Sequence, residues 1–220
     1  LIFDFFAGSG TAGHAVMNLN ARTGSTRRYG LVQFPEPCPA DSEALKAGYK
    51  TIADICKNRI KLAATSIRSE FPEAELDTGF RVFKLDHSNI RAWNPNPADL
   101  EASLFDHQDH LLEGRSEADV LYELLLKLGL DLCVPIEQRT IAGREVHSVG
   151  GGVLMTCLAK QITREQVELL AQGIIDWHKE LAPAGDTTCV FRDSAFADDV
   201  AKTNLAAILE QHGIQNVRSL

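Results

Sequence analysis

No apolar run in the 220 residues approaches the roughly 20 that a membrane-crossing helix needs, so the sequence offers no transmembrane span. Cysteine is sparse and scattered. Cys38, Cys56, Cys133, Cys157 and Cys189 are odd in number and form no C-x-x-C pair, which argues against a disulfide framework or a structural zinc site and fits a reducing cytoplasm. Positive charge is short as well. The 22 Lys and Arg against 30 Asp and Glu leave a formal charge of -8, the wrong sign for a surface that grips nucleic-acid phosphates unaided. Residues 1–7 are apolar but lack a basic leader and a cleavage site, so no signal peptide is read there. The sequence opens inside an apparent strand with no initiator methionine, and on that ground it reads as a fragment.

What is present is an ordinary globular composition, 45% hydrophobic and 24% charged, enough to build two modest lobes. The chain is organised around Leu1 to Asn20. Leu1, Ile2 and Phe3 form a short apolar run suited to a buried central strand of a parallel sheet. Gly8, Ser9 and Gly10 then supply a turn open to a ligand, and Thr11 to Asn20 continues as a helix. The unpaired amides at that helix start favour a carboxylate or phosphate. Gly8 to Gly13 also satisfies G-x-G-x-x-G, so a nicotinamide-dependent oxidoreductase is one reading. Asp4, just before the turn, favours another: it would repel a pyrophosphate but hold the ammonium of an amino-acid moiety such as that of S-adenosylmethionine.

Asp4 through Thr11, DFFAGSGT, followed by His14-Ala15-Val16, resembles the first motif of amino-group DNA methyltransferases. It is most similar to the Mod subunits of type III restriction-modification systems. The resemblance implies that Asp4, Phe5, Phe6, Ala7, Gly8, Ser9, Gly10 and Thr11 line the methionine end of an S-adenosylmethionine pocket. A second strand is expected over residues 29–34 and ends near Glu36, where a carboxylate can accept from the ribose hydroxyls. The plainer alternative for Glu36 is an exposed loop residue. Further segments carry the likeness: the stripe Tyr49, Ile52, Ala53, Cys56, Ile60, Ala63, Ala64 and Ile67 of a long amphipathic helix, with Lys50, Lys57, Lys61 and Arg68 on its solvated side, and residues 79–85, GFRVFKL, read as a half-buried third strand.

Asn94-Pro95-Asn96-Pro97 reads as a lobe boundary. Asp106, His107, Asp109 and His110 are possible metal ligands on paper, but no further cluster completes the set, and no metal site is expected. From Ser116 a compact second lobe is expected. Ser116 and Asp119 cap a leucine-rich helix, a hairpin turns at Ala142-Gly143, and a strand covers residues 153–158. Thr163 and Gln166 cap a second long helix carrying Val167, Leu170, Ala171, Ile174, Trp177 and Leu181. A strand at 187–191, a helix at 198–212 and a last strand at 214–217 follow. Arg192-Asp193-Ser194 reads as a loop held by an Arg-Asp pair rather than a catalytic group. The segments GRSEAD before the leucine-rich helix and VFRDSAF before the last helix also resemble Mod C-termini.

The fold class expected is therefore α/β. Residues 1–95 would form part of a Rossmann-like methyltransferase sheet, 96–115 a boundary segment and 116–220 a smaller α/β lobe. Amino-methyltransferases place an Asp-Pro-Pro-Tyr type tetrapeptide at the acceptor base, and this sequence has no consecutive prolines, so no catalytic residue is assigned. Mod proteins are circularly permuted, with tetrapeptide and target-recognition region preceding the cofactor motif, and the chain resembles their C-terminal portion. The resemblance implies S-adenosylmethionine as cofactor, DNA bound mainly through the other half, a Mod homodimer, a Res helicase-nuclease partner, adenine as the methylated base and a prokaryotic cytoplasm. A non-catalytic assembly module with a vestigial site is the non-enzyme alternative.

Overall fold

The computed structural model describes residues 1–91, 97–98 and 111–220. The chain divides into two compact units, Leu1–Phe83 and Lys84–Leu220. The Asn-Pro boundary stretch and the His107/His110 cluster lie wholly or largely outside the described residues.

In the first unit, β1 (Ile2–Asp4) pairs in parallel with β2 (Tyr29–Leu31), Phe3 opposite Gly30. The helix α1 (Thr11–Thr23) connects them, α2 (Glu43–Lys46) is a single turn, and α3 (Ile52–Glu70) follows. A capping box starts α3: Asp54 N–H donates to Thr51 Oγ1 at 3.2 Å and Thr51 N–H donates back to Asp54 Oδ2 at 3.1 Å. Hydrogen bonds from Lys57 and from Thr51 hold the Asp54 carboxyl down at about 2. As the periodicity predicts, Cys56, Ile60, Ala63, Ala64 and Ile67 are buried, and Ile60, Ala63, Ala64 and Ile67 close a core with Met17 of α1 and with Tyr29 and Leu31 of β2.

Two expectations fail in this unit. The first strand is not buried: Ile2 and Phe3 are 39% and 57% exposed. A central strand is buried only when both faces are covered. Here the helices pack on the Tyr29/Leu31 side, while Phe3 lies on the opposite side with its ring over Gly30 and stacked on Phe5 at 5.7 Å. Residues 79–85 form no strand either. Their alternation is that of a strand, but a strand exists only as part of a ladder; residues 79–85 take no strand conformation, and Val82, Phe83 and Leu85 are exposed.

The second unit starts on α4 (Glu117–Lys127), whose capping box joins Ser116 and Asp119. Glu123 of α4 draws in the preceding segment, accepting from Ser88 Oγ at 2.5 Å, Asn89 N–H at 2.6 Å and Asn89 Nδ2 at 2.8 Å. A five-stranded mixed sheet follows in the order β3 (Ile136–Ile141), β4 (Arg144–Val149), β5 (Leu154–Cys157), β6 (Thr188–Phe191), β7 (Asn216–Ser219). The first three are antiparallel. The parallel steps β5 to β6 and β6 to β7 cross over through α5 (Arg164–Leu181) and α6 (Asp199–Gln211). Ala142 and Gly143 both take positive φ, 49° and 74°, the left-handed pair a two-residue hairpin requires.

Period-two alternation splits this sheet's core. Val146, Met155, Cys157, Cys189 and Phe191 pack on α5 and α6, and Val149, Leu154, Leu158 and Val190 pack on α4. Burial pushes the thiols of Cys157 and Cys189 up to about 11 and about 12, which makes them packing residues, not nucleophiles. Gln166 is the joint of this lobe: it accepts from Thr163 N–H at 3.0 Å and Arg144 Nη2 at 3.1 Å, and it donates to Ala142 O at 3.0 Å, so it fastens the hairpin turn to the start of α5. At 192–194, Arg192 Nε donates to Ser194 Oγ at 2.9 Å, and Asp193 pairs with Lys202 of α6. Among the described residues no helix is long and apolar enough to cross a membrane.

Candidate functional site

The residues singled out in the sequence meet at the carboxyl ends of β1 and β2. Val32 makes the junction: its N–H donates to Asp4 O at 2.8 Å and its carbonyl accepts from Ala7 N–H at 3.1 Å, so the end of the second strand is laced to both sides of the turn that leaves the first. The turn closes on itself through Gly10 N–H to Ala7 O at 2.7 Å. Gly8 (φ 52°) and Gly10 (φ 84°) are left-handed, a conformation costly for any residue with a Cβ. Gly10 is also hemmed in from below, where a Cβ would lie 2.9 Å from Cys56 Sγ. Gly13, one turn into α1, meets Ile60 Cδ1 at 2.8 Å by the same measure, so the glycines let α1 and α3 close beneath the loop. Next to Gly8 the space is open: apart from its chain neighbours, only Phe6 O, at 3.9 Å, lies within 4 Å of a hypothetical Cβ.

Asp4 is partly exposed, and its Oδ1 accepts from Phe6 N–H at 3.1 Å. Its charge reaches under the loop: burial raises the Cys56 thiol and the Asp4 carboxylate raises it further. Phe6 is 93% exposed at the loop tip, while Ala7 is buried. Thr11 opens α1 behind Gly10, so the first-turn amides of a thirteen-residue helix point at the loop. Glu36 is exposed. Its backbone is locked by Glu36 N–H to Phe34 O at 2.8 Å and Ile52 N–H to Glu36 O at 2.9 Å, which holds it between the end of β2 and the cap of α3.

Two participants were not singled out from sequence. Gln33 Oε1 accepts from Gly8 N–H at 2.6 Å, and Arg59 Nη1 donates to Ser9 Oγ at 2.7 Å. Gln33 was hidden inside an expected strand over 29–34 that in fact ends at Leu31, so alternation gave it no distinct role. Arg59 had a signal: it sits between two buried stripe positions, Cys56 and Ile60, and so borders the packed face and not the solvated one. A cleft of about 470 Å³ lies beside these contacts, with Ser9, His14 and Arg59 on its wall and Tyr49 Oη accepting from Asn58 Nδ2. Among the described residues no group of three or more His, Cys, Asp or Glu is placed to hold a metal ion.

Electrostatically the loop is two-sided. An acid, Asp4, stands at its entry, whereas the α1 start presents backbone donors at its exit. Such a pair complements a zwitterion, an ammonium on one side and a carboxylate on the other.

No known protein-family profile matches the chain. The chain is similar to curated proteins, however. It is 32% identical over 183 residues, 83% of its length, to a type III restriction-modification enzyme Mod subunit of Escherichia coli, of which the match covers 26%. It is 40% identical over 84 residues, 38% of the chain and 13% of the relative, to the StyLTI Mod subunit of Salmonella typhimurium. A type II methyltransferase of Klebsiella pneumoniae is 37% identical over 73 residues, 33% of the chain and 16% of that protein. The chain thus spans about a quarter of the length of this Escherichia coli Mod subunit. On these matches, the homologues of the chain are Mod subunits of type III restriction-modification enzymes.

Proposed function

We propose that the chain supplies the S-adenosylmethionine-binding part of a DNA methyltransferase that modifies the amino group of adenine. The observation that carries this reading is the lacing of the glycine loop to the end of β2 through Val32, because it sets an acid, a bare left-handed turn and a helix start around one point. Asp4 would hold the ammonium of the methionine moiety. Ser9, Gly10 and Thr11, at the start of α1, would face its carboxylate, Phe5, Phe6 and Ala7 would shape the wall, and Glu36 would accept from the two ribose hydroxyls. When bound, the cofactor supplies an electrophilic methyl group; these residues orient it and contribute no proton transfer.

The parallel β1–α1–β2 unit supports a Rossmann-like sheet to which further strands belong. In this reading residues 1–95 carry the cofactor-binding part, 96–115 the connection and 116–220 a terminal lobe. DNA recognition, the acceptor-base tetrapeptide, Mod dimerisation and contact with a Res subunit fall to the whole polypeptide. Similarity to methyltransferases favours this reading over a nicotinamide oxidoreductase. Calorimetric titration tests it: the chain should bind S-adenosylhomocysteine and not NADH. Asp4→Ala should weaken S-adenosylhomocysteine by about tenfold or more, the scale of a charge-assisted hydrogen bond. Equal affinity in the variant, or preference for NADH, rules the assignment out.

A further inference from the structure

Gln33 occupies a loop amide, that of Gly8, beside open space. Gly8 is left-handed, nothing beyond its chain neighbours except Phe6 O approaches within 4 Å of where its Cβ would be, and Gln33 Oε1 accepts from Gly8 N–H at 2.6 Å. The neighbouring amides of Phe6, Ala7 and Gly10 are satisfied by Asp4, Val32 and Ala7 within the loop itself. Gln33 is held at its far end only by a local bond, Nε2 to Phe34 O at 2.9 Å, in a stretch beyond the end of β2 where Val32 and Phe34 are exposed. A carboxamide oxygen on a backbone donor is the neutral counterpart of a carboxylate oxygen on the same donor.

We infer that Gln33 is a placeholder for the carboxylate of an amino-acid moiety: its amide oxygen caps Gly8 N–H and gives way to the carboxylate on binding. The inference rests on the proposed cofactor pocket and adds a determinant of ligand choice to it. A carboxylate replaces a neutral hydrogen bond with a charge-assisted one and displaces Gln33, whereas a nucleoside without a carboxylate leaves Gln33 in place. Gln33 therefore sets how strongly the site favours S-adenosyl amino acids over adenosine.

The test compares S-adenosylhomocysteine and adenosine as calorimetric ligands of the 220-residue chain and two variants. Gln33→Ala removes the competitor and should tighten S-adenosylhomocysteine about three- to tenfold with adenosine unmoved, the span set by one neutral hydrogen bond. Gln33→Glu puts a fixed charge in the same place and should weaken S-adenosylhomocysteine about tenfold or more, again with adenosine unmoved. A Gln33→Ala variant that loses affinity for both ligands shows a brace of the loop and overturns the inference, as does one in which S-adenosylhomocysteine is unchanged. A parent chain that binds neither ligand overturns the pocket reading itself.

Discussion

Single carboxylates set two measurable properties of this chain. Glu36 is fixed by its backbone, and its exposed side chain makes no hydrogen bond among the described residues. If it takes the ribose hydroxyls, Glu36→Gln should sharply reduce the preference for adenosine over 2'-deoxyadenosine in competition binding. Unchanged discrimination removes Glu36 from the site. Glu123 shows the opposite use of a carboxylate. Burial alone would raise it, but hydrogen bonds from Ser88, Asn89 and Lys127 prevail and hold it at about 2, below the ordinary 4.5. A depressed acid contributes stability that is present above its unfolded value and lost as pH falls through its folded one. Discounted for solvent screening, its share is on the order of 1–2 kcal/mol and should disappear between pH 4.5 and about 2. Urea unfolding of parent and Glu123→Gln should differ at pH 6 and converge toward pH 2; a gap that persists at pH 2 contradicts this account.

Between elements, one glycine decides the seat of α5. Helix propensity alone predicts that Gly173→Ala stabilises by about 1 kcal/mol. The tertiary contact reverses the sign, because a Cβ there would lie 2.2 Å from Ile141 Cγ2 at the end of β3. Gly173→Ala should destabilise by about 1–3 kcal/mol, seen as a lower thermal midpoint, and Ile141→Ala in the same chain should recover part of the loss. A raised midpoint in the single variant means that α5 shifts without cost. In the first unit Gly13 and Gly10 play the equivalent part beneath the loop, where Ile60 and Cys56 leave no room for a side chain.

As a whole molecule the chain holds the proposed cofactor loop but no acceptor-base tetrapeptide, and it carries a net charge of -8. Holding a methyl donor without positioning an acceptor yields none of the proximity that drives transfer. Tritiated S-adenosylmethionine and unmethylated plasmid should give background incorporation with these 220 residues. A complete Mod polypeptide containing them should label adenine. Incorporation by the chain alone, or label on cytosine in the complete protein, contradicts the proposal. The exposed aromatic side of β1 belongs to this scale too: Phe3, Phe5, Phe6 and Phe34 remain uncovered.

Local chemistry made much of this readable from sequence. The caps at Thr163 and Ser116, the Ala142-Gly143 hairpin, the apolar stripes of α3, α4 and α5, and the glycine turn before α1 all depend on neighbours within a few residues, so spacing alone determined them. Residues 79–85 show the limit, since alternation states which face could be buried but a strand needs a partner that spacing cannot supply. The exposure of Phe3, the hold of Gln33 on Gly8 and of Arg59 on Ser9, and the contact of Ile141 with Gly173 were decided only by tertiary structure. Each joins groups brought together by the packing of separate elements, 25 residues apart for Gln33 and Gly8 and 50 for Arg59 and Ser9, where no local period records the meeting.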